Sequence, residues 1–312
     1  MENLLVSLNV VAPLFIMLLA GVAFKKLGMI ADTTEKQMNN LVFRCFLPLL
    51  LFYNIYSTQL KDSFEPLLMG FSVIAVLATY VLSFCITLPL EKENYRRGVL
   101  IQAMFRSNFV LYGLPVTVSL FGQEAAGTAS LVIAVVVPMF NMLSVIALEI
   151  FRGGKVKPFK ILRGIVTNPL VIASVVGLLF LFTGLRLPTF LEKPVKDFSG
   201  IATPLAFVVL GASFRFADTR LYRRQLTLGV FCRLVLMPAI FLPCAALLGI
   251  RGPEMSVLMA MLASPTAVSS FTMAQQMDGD APLAGQLVVF GTLISILTVF
   301  SWIFALKQFG LM

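Results

Sequence analysis

The chain has 312 residues, of which 59% are hydrophobic and only 12% charged, against about 25% charged in an average soluble domain; so much apolar surface excludes a soluble globular protein. The net charge of +9 is carried in short Lys/Arg clusters between apolar runs, a pattern that sets membrane orientation rather than nucleic-acid binding. The absence of histidine excludes Ser-His-Asp and Cys-His chemistry, histidine metal sites and histidine proton relays.

Taken in chain order with roughly 20 apolar residues per span, the sequence predicts spans near 5–27, 33–57, 65–90, 95–121, 124–150, 160–184, 188–214, 219–249, 253–276 and 279–308. The first is a retained span rather than a signal peptide. Glu2 replaces a basic flank, and Lys25 and Lys26 stand where a small-residue cleavage site would follow. Cys45, Cys85, Cys232 and Cys244 fall inside apolar runs and read as small buried side chains, not as a disulfide or metal cage. The longest polar stretch is the short one from Phe151 to Lys160.

Of the 24 Lys and Arg residues, 15 lie in loops after odd-numbered spans, 6 lie in the other loops and termini, and Arg44, Arg106 and Arg233 sit in or near apolar runs. The positive-inside rule makes the odd loops cytoplasmic and puts both termini outside. Arg44 and Arg233 are expected to snorkel to the rim. Glu149 is expected to pair with Arg152, and Asp278 and Asp280 are assigned to the outer end of span 9.

The two halves of the chain match at a nearly constant offset. Pro13 and Pro169, Gly21 and Gly177, Gly28 and Gly184, and Pro48 and Pro204 are each 156 apart, while Gly122 and Gly279 are 157 apart. Five spans per half put the second copy upside down, as in inverted-repeat secondary transporters. The predicted fold is therefore an all-α integral membrane protein of ten transmembrane helices in a 5+5 inverted repeat. Residues 1–151 form the first repeat, 152–159 a cytoplasmic linker, and 160–312 the second.

Span 4 carries Arg106-Ser107-Asn108-Phe109-Val110-Leu111-Tyr112-Gly113-Leu114-Pro115, and span 9 carries Ala263-Ser264-Pro265-Thr266-Ala267-Val268-Ser269-Ser270. Proline removes a backbone donor and crowds the preceding turn, and glycine tolerates unwinding. Gly113, Pro115 and Pro265 are thus the predicted helix breaks, with Asn108 opposite Pro265. Unwound backbone at membrane depth must be buried in protein or line a wet cavity, and half-helix N-termini suit an anion. The candidate substrate contacts are Asn108, Arg106, Ser107, Tyr112, Ser264, Pro265, Thr266 and Ser269. No cofactor or resident metal is expected, although a Na⁺ site built from carbonyls and hydroxyls stays open.

These residues resemble the auxin efflux carrier family, which includes plant PIN-type carriers and bacterial relatives associated with malonate and other carboxylates. Asn108 to Pro115 is similar to the family's fourth-helix Asn…Gly-x-Pro segment. Pro265, Phe271, Ala274 and Phe290-Gly291 resemble its ninth and tenth helices, and Asn40 with Pro48-Leu49-Leu50 its second. The resemblance implies a fold like that of bile-acid and sodium–proton transporters. A scaffold (5–57 and 160–214) would form a homodimer, a transport domain (65–150 and 219–308) would hold the crossed helices, and a substrate carboxylate would lie near Asn108. Plant carriers have a polar residue where this chain has Leu51, which argues against auxin itself. The short central loop suits a multi-pass protein of the bacterial inner membrane.

The expected function is a secondary carrier of a small organic anion, working by alternating access. The alternative is a Na⁺- or H⁺-coupled importer of a dicarboxylate such as malonate, and a non-transporting membrane sensor is a reading from another class. An enzyme is not expected. An inside-negative potential of 100 mV is worth ~2.3 kcal/mol per charge, so uncoupled movement of a monoanion runs outward. A reporter fused after Met312 that works only outside the cytoplasm is expected to be active; activity confined to a cytoplasm-dependent reporter would reverse the orientation.

Overall fold

The computed structural model describes residues 2–58, 65–122, 124–152 and 158–312, apart from the side chains of 2–10, 112, 113, 124, 158 and 160. The first half holds α1 (Glu2–Lys26), α2 (Asp32–Leu41), α3 (Leu47–Tyr56), α4 (Pro66–Leu90), α5 (Asn94–Phe105), α6 (Leu114–Phe121) and α7 (Glu124–Ile150). The second holds α8 (Pro158–Val166), α9 (Pro169–Thr183), α10 (Thr189–Ser213), α11 (Arg223–Phe231), α12 (Met237–Leu247), α13 (Gly252–Ala263), α14 (Ser269–Gln276) and α15 (Ala281–Gln308). Among the described residues there is no strand, only one isolated antiparallel bridge.

Six helical rods among the described residues are long and apolar enough to cross a membrane: Asp32–Tyr56, Pro66–Leu90, Ala125–Ile150, Thr189–Ser213, Arg223–Leu247 and Ala281–Gln308. Shorter apolar helices cover Phe109–Phe121, Pro169–Thr183 and Gly252–Ala263. The protein is an all-helical membrane protein. Its outer surface carries large exposed apolar side chains such as Ile16, Leu19, Ile74, Phe182 and Leu297, which in lipid are solvated by acyl chains.

Two of these rods, and the shorter helix Phe109–Phe121, contain a wide turn with the same local cause. At Val42–Phe46, Phe109–Gly113 and Cys232–Leu236 the backbone forms a π-turn, closed by bonds from the N–H of Leu47 to the carbonyl of Val42, Leu114 to Phe109 and Met237 to Cys232. Each turn is followed, after one intervening residue, by a proline: Pro48, Pro115 or Pro238. The proline cannot donate and its ring collides with the carbonyl four residues back, so widening the preceding turn relieves both problems. Pro115 therefore sits in the second position of a resumed helix, and the true interruption lies upstream, at Arg106–Asn108. Pro265, by contrast, lies within the interruption itself, between Ala263 and Ser269.

The matched glycines serve matched purposes. A Cβ on Gly21 would lie 2.1 Å from the carbonyl oxygen of Val208, and one on Gly211 2.0 Å from that of Leu18. α1 and α10 thus touch backbone to backbone. Gly177 admits Phe52 and Ile55 in the same way, with a Cβ only 3.1 Å from that of Ile55, so α9 closes on α3. Gly28 and Gly184 both adopt a left-handed conformation, with φ of 73° and 69°.

The pair Gly122 and Gly279 requires a correction. Gly122 is left-handed (φ 73°), but its conformational counterpart is Asp278 (φ 59°), exactly one position before Gly279. The offset is therefore 156 again, and the apparent one-residue shift disappears. Aspartate is one of the few residues that tolerate this region. Gly279 is a glycine for another reason, since its Cβ would meet Val99 at 3.0 Å.

Asp278 and Asp280 also change sides. Asp278 accepts from Arg152 Nε at 2.8 Å, Asp280 from Arg96 Nε at 3.1 Å, and Arg152 also pairs with Glu149 at 2.9 Å. Arg96 and Arg152 belong to the arginine-rich rim, so both aspartates lie on that rim and not at the outer end of span 9. The reason is parity: the chain that leaves α14 emerges on the same side as the ends of α4 and α7. The linker 152–159 falls largely on residues 153–157, outside the described residues.

Substituting Gly21 by leucine should be among the most damaging single changes outside the site. Overpacking typically costs ~1–3 kcal/mol, and here the obstacle is backbone. Thermal unfolding of the purified protein should show a clearly lowered midpoint, whereas Gly70→Ala, which meets open space, should leave it near wild type.

Candidate functional site at the helix crossover

The site begins with two helices that stop in the middle of the protein. α5 ends at Phe105, after which Arg106 turns to extended backbone (φ −79°, ψ 121°). α13 ends at Ala263, and Ser264 does the same (φ −65°, ψ 149°). The two extended segments run antiparallel, with Ser107 bridged to Thr266. The N–H of Asn108 donates to the carbonyl of Pro265 at 2.8 Å, and the hydroxyl of Thr266 donates to the carbonyl of Ala103 at 2.8 Å.

Arg233, from the π-turn between α11 and α12, closes the crossover. Its Nε donates to the carbonyl of Ser264 at 2.8 Å, Nη1 to Phe105 at 3.0 Å and Nη2 to Met261 at 2.7 Å. The side chain is buried, so the expected snorkelling does not occur. The last carbonyls of a helix lack intrahelical partners and carry its negative dipole end. A planar guanidinium with five donors can serve two such ends at once. Arg233 therefore fixes the interrupted ends of both helices together.

Arg106 is the second buried guanidinium. Its Nη2 donates to Asn141 Oδ1 at 2.6 Å and to Ser269 Oγ at 2.8 Å, and its Nη1 approaches the Met273 sulfur. Asn141 is oriented by its own bond to the Val137 carbonyl at 2.9 Å. All of these partners are neutral. Among the described residues no ion pair includes Arg106.

Beside it lies a cavity of about 60 Å³, lined by α3 (Leu51, Asn54), the crossover (Arg106 to Leu111, Ala267 to Ser269), α7 (Phe140, Asn141), Leu170 of α9 and Thr203 of α10. That is several times the ~10–15 Å³ one water requires, enough for a carboxylate group. Asn108 Nδ2, Ser107 Oγ and Ser270 Oγ are buried here or nearby with no hydrogen-bond partner. A larger cleft of about 370 Å³ opens on the arginine-rich rim between Lys25, Glu35, Arg215, Gln275 and Gln286. α14 runs from one to the other: Ser269 lines the cavity, Phe271 and Gln275 the cleft.

The structure thus brings Arg106, Ser107, Asn108 and Ser269 together around one cavity. Ser264, Pro265 and Thr266 lie at the crossover but outside the lining, with their polar groups engaged by backbone or by Arg233. The side chain of Tyr112 and the surroundings of Gly113 lie outside the described residues. Sequence reasoning missed Asn141, whose signal was a lone amide in a long apolar run, and it missed the partners of Arg233. Leu51 is part of the cavity wall.

Residues 5–303 match the family described as Membrane transport protein. The chain is similar to an uncharacterized transporter of Methanocaldococcus jannaschii, at 24% identity over 96% of this chain and 98% of the relative. It is likewise similar to an uncharacterized transporter of Methanothermobacter thermautotrophicus, at 25% identity over 95% and 97%.

Replacing Arg233 by methionine keeps most of the volume but leaves three buried carbonyls without a donor. Each unsatisfied group costs ~1–3 kcal/mol, so a loss of several kcal/mol is expected. Chemical unfolding should register it, and a wild-type midpoint would show that the crossover holds without the arginine.

Proposed function

This chain belongs to the membrane transport protein family, that of the auxin efflux carriers, and we propose that it is a secondary carrier of a small organic anion bearing a carboxylate. One observation carries the reading. Arg106 is a permanently charged group, 4% exposed at the rim of a small cavity, with only neutral partners. A buried cation without a counterion is costly, and a substrate carboxylate in the cavity would supply that counterion. The unpartnered amide of Asn108 and hydroxyl of Ser107 would donate to the same group.

In this reading the helical rods form ten spans in two inverted halves. The scaffold (5–57 and 160–214) forms a homodimer in the bilayer, and the transport domain carries the crossover past it. The protein is a multi-pass membrane protein; a bacterial inner membrane, with both termini outside, is the placement that the charge bias and the short central loop favour. The wall formed by Leu51 and Phe140 favours a substrate with a short apolar part. Because the site supplies fixed positive charge and no carboxylate to take up a proton, outward or facilitated flux of the anion is the direction proposed. The importer reading is separated by flux into proteoliposomes under an imposed potential, with and without Na⁺ or a pH gradient.

Asn108→Ala should reduce carboxylate flux at least about tenfold, the worth of one charge-assisted hydrogen bond, while leaving the protein folded and inserted. Arg106→Gln should do the same and should also weaken the thermal stabilisation that a bound carboxylate confers. Unchanged flux in both variants would remove the site.

A further inference from the structure

A second ligand site is carried by the outside of α11. We propose that the face between α11–α12 and α15 holds one anionic glycerophospholipid, its phosphate on Arg220, Arg223 and Arg224 and an acyl chain in the groove beneath them.

The groove is about 390 Å³ and is lined by Leu226, Val230, Leu234, Phe290 and Ile294, with Arg223 at its mouth. A shallower depression of about 670 Å³ lies on the other side of α11, and it adds Arg220 and Arg224. The two share Arg223, Thr227 and Phe231, so one headgroup at the start of α11 faces both. All three arginines are exposed. Among the described residues none of them takes part in an ion pair, and no carboxylate lines either depression. Asp218, the nearest acid in sequence, lines the rim cleft instead. Two rim arginines differ: Arg96 and Arg152 are paired with Asp280, Asp278 and Glu149.

The dimensions fit a lipid. From Arg223 to Val235 a helix rises about 18 Å, comparable to half of the ~30 Å hydrocarbon core. The apolar groove thus runs one leaflet deep from a cationic mouth. Guanidinium groups bind phosphate oxygens in bidentate fashion, and basic pockets between membrane helices are suited to anionic headgroups. A second copy of this chain is a poorer occupant, because a two-fold contact would set two arginine clusters against each other. A small free anion would leave the apolar groove unused.

The test is thermal unfolding of the purified full-length protein in detergent, titrated with phosphatidylglycerol, with phosphatidylcholine of the same acyl chains, and with inorganic phosphate. Phosphatidylglycerol alone should raise the midpoint. R223Q/R224Q should weaken its apparent affinity about thirtyfold, from the usual contribution per basic residue at an anionic surface. Ile294→Trp, which fills the groove and leaves the arginines, should weaken it as well. Equal shifts from both lipids, or a shift reproduced by inorganic phosphate, would overturn the site, and this wild-type comparison stands even where a variant fails to fold. A response lost in R223Q/R224Q but intact in Ile294→Trp would overturn the groove as the acyl site.

Discussion

Two helices that stop inside a membrane protein leave carbonyl oxygens where neither water nor lipid can bond them. Everything at the centre of this protein depends on how that deficit is met. Arg233 meets it for both helices at once, through Phe105 at the end of α5 and Met261 and Ser264 at the end of α13. Because a single rigid group serves both, the two ends cannot move independently. The backbone bond from Asn108 to Pro265 and the hydroxyl bond from Thr266 to Ala103 add to the same lock. The crossover is therefore one bonded unit, poorly able to come apart.

The two buried arginines divide the work. Arg233 faces carbonyls, which carry the partial negative charge of two helix ends and disperse its own. Arg106 faces a side-chain amide, a hydroxyl and a thioether, which satisfy its donors without neutralising it. Similar side chains at similar depth thus have opposite consequences. One consolidates structure, and the other remains a charge without a counterion beside a cavity. The hydroxyls of Ser264 and Thr266 are absorbed into the architecture, while Ser107, Asn108 and Ser269 face the cavity. The proteins this chain resembles over almost its whole length are described as uncharacterized transporters.

Much of this was legible in residue order, for reasons that are local. Glycine restricts or frees the backbone wherever it stands, so the offset of 156 marks two left-handed turns, at Gly28 and Gly184, and two close helix approaches, at Gly21 and Gly177, whereas the two interruptions, at Arg106 and Ser264, are not at that offset. The same locality explains the errors. Gly279 was matched to Gly122 by residue type, whereas the left-handed turn is made by Asp278, a less conspicuous residue that tolerates the conformation. Proline chemistry predicts a break at Pro115; its effect is the π-turn before it, and the interruption at Arg106–Asn108 is satisfied by the extended segment around Thr266.

The sequence by itself determined that this is a helical membrane protein with a duplicated pattern and weak points in its fourth and ninth apolar runs, because composition, span length and backbone-restricting residues act within a few turns of themselves. Only the tertiary structure decided which polar groups are available to a ligand. Arg233 lies 128 residues from Phe105 and 28 from Met261, Arg106 35 from Asn141 and 163 from Ser269. Whether a buried charge is satisfied depends on what is brought within about 3 Å of it, and that is a property of packing that no periodicity along the chain records.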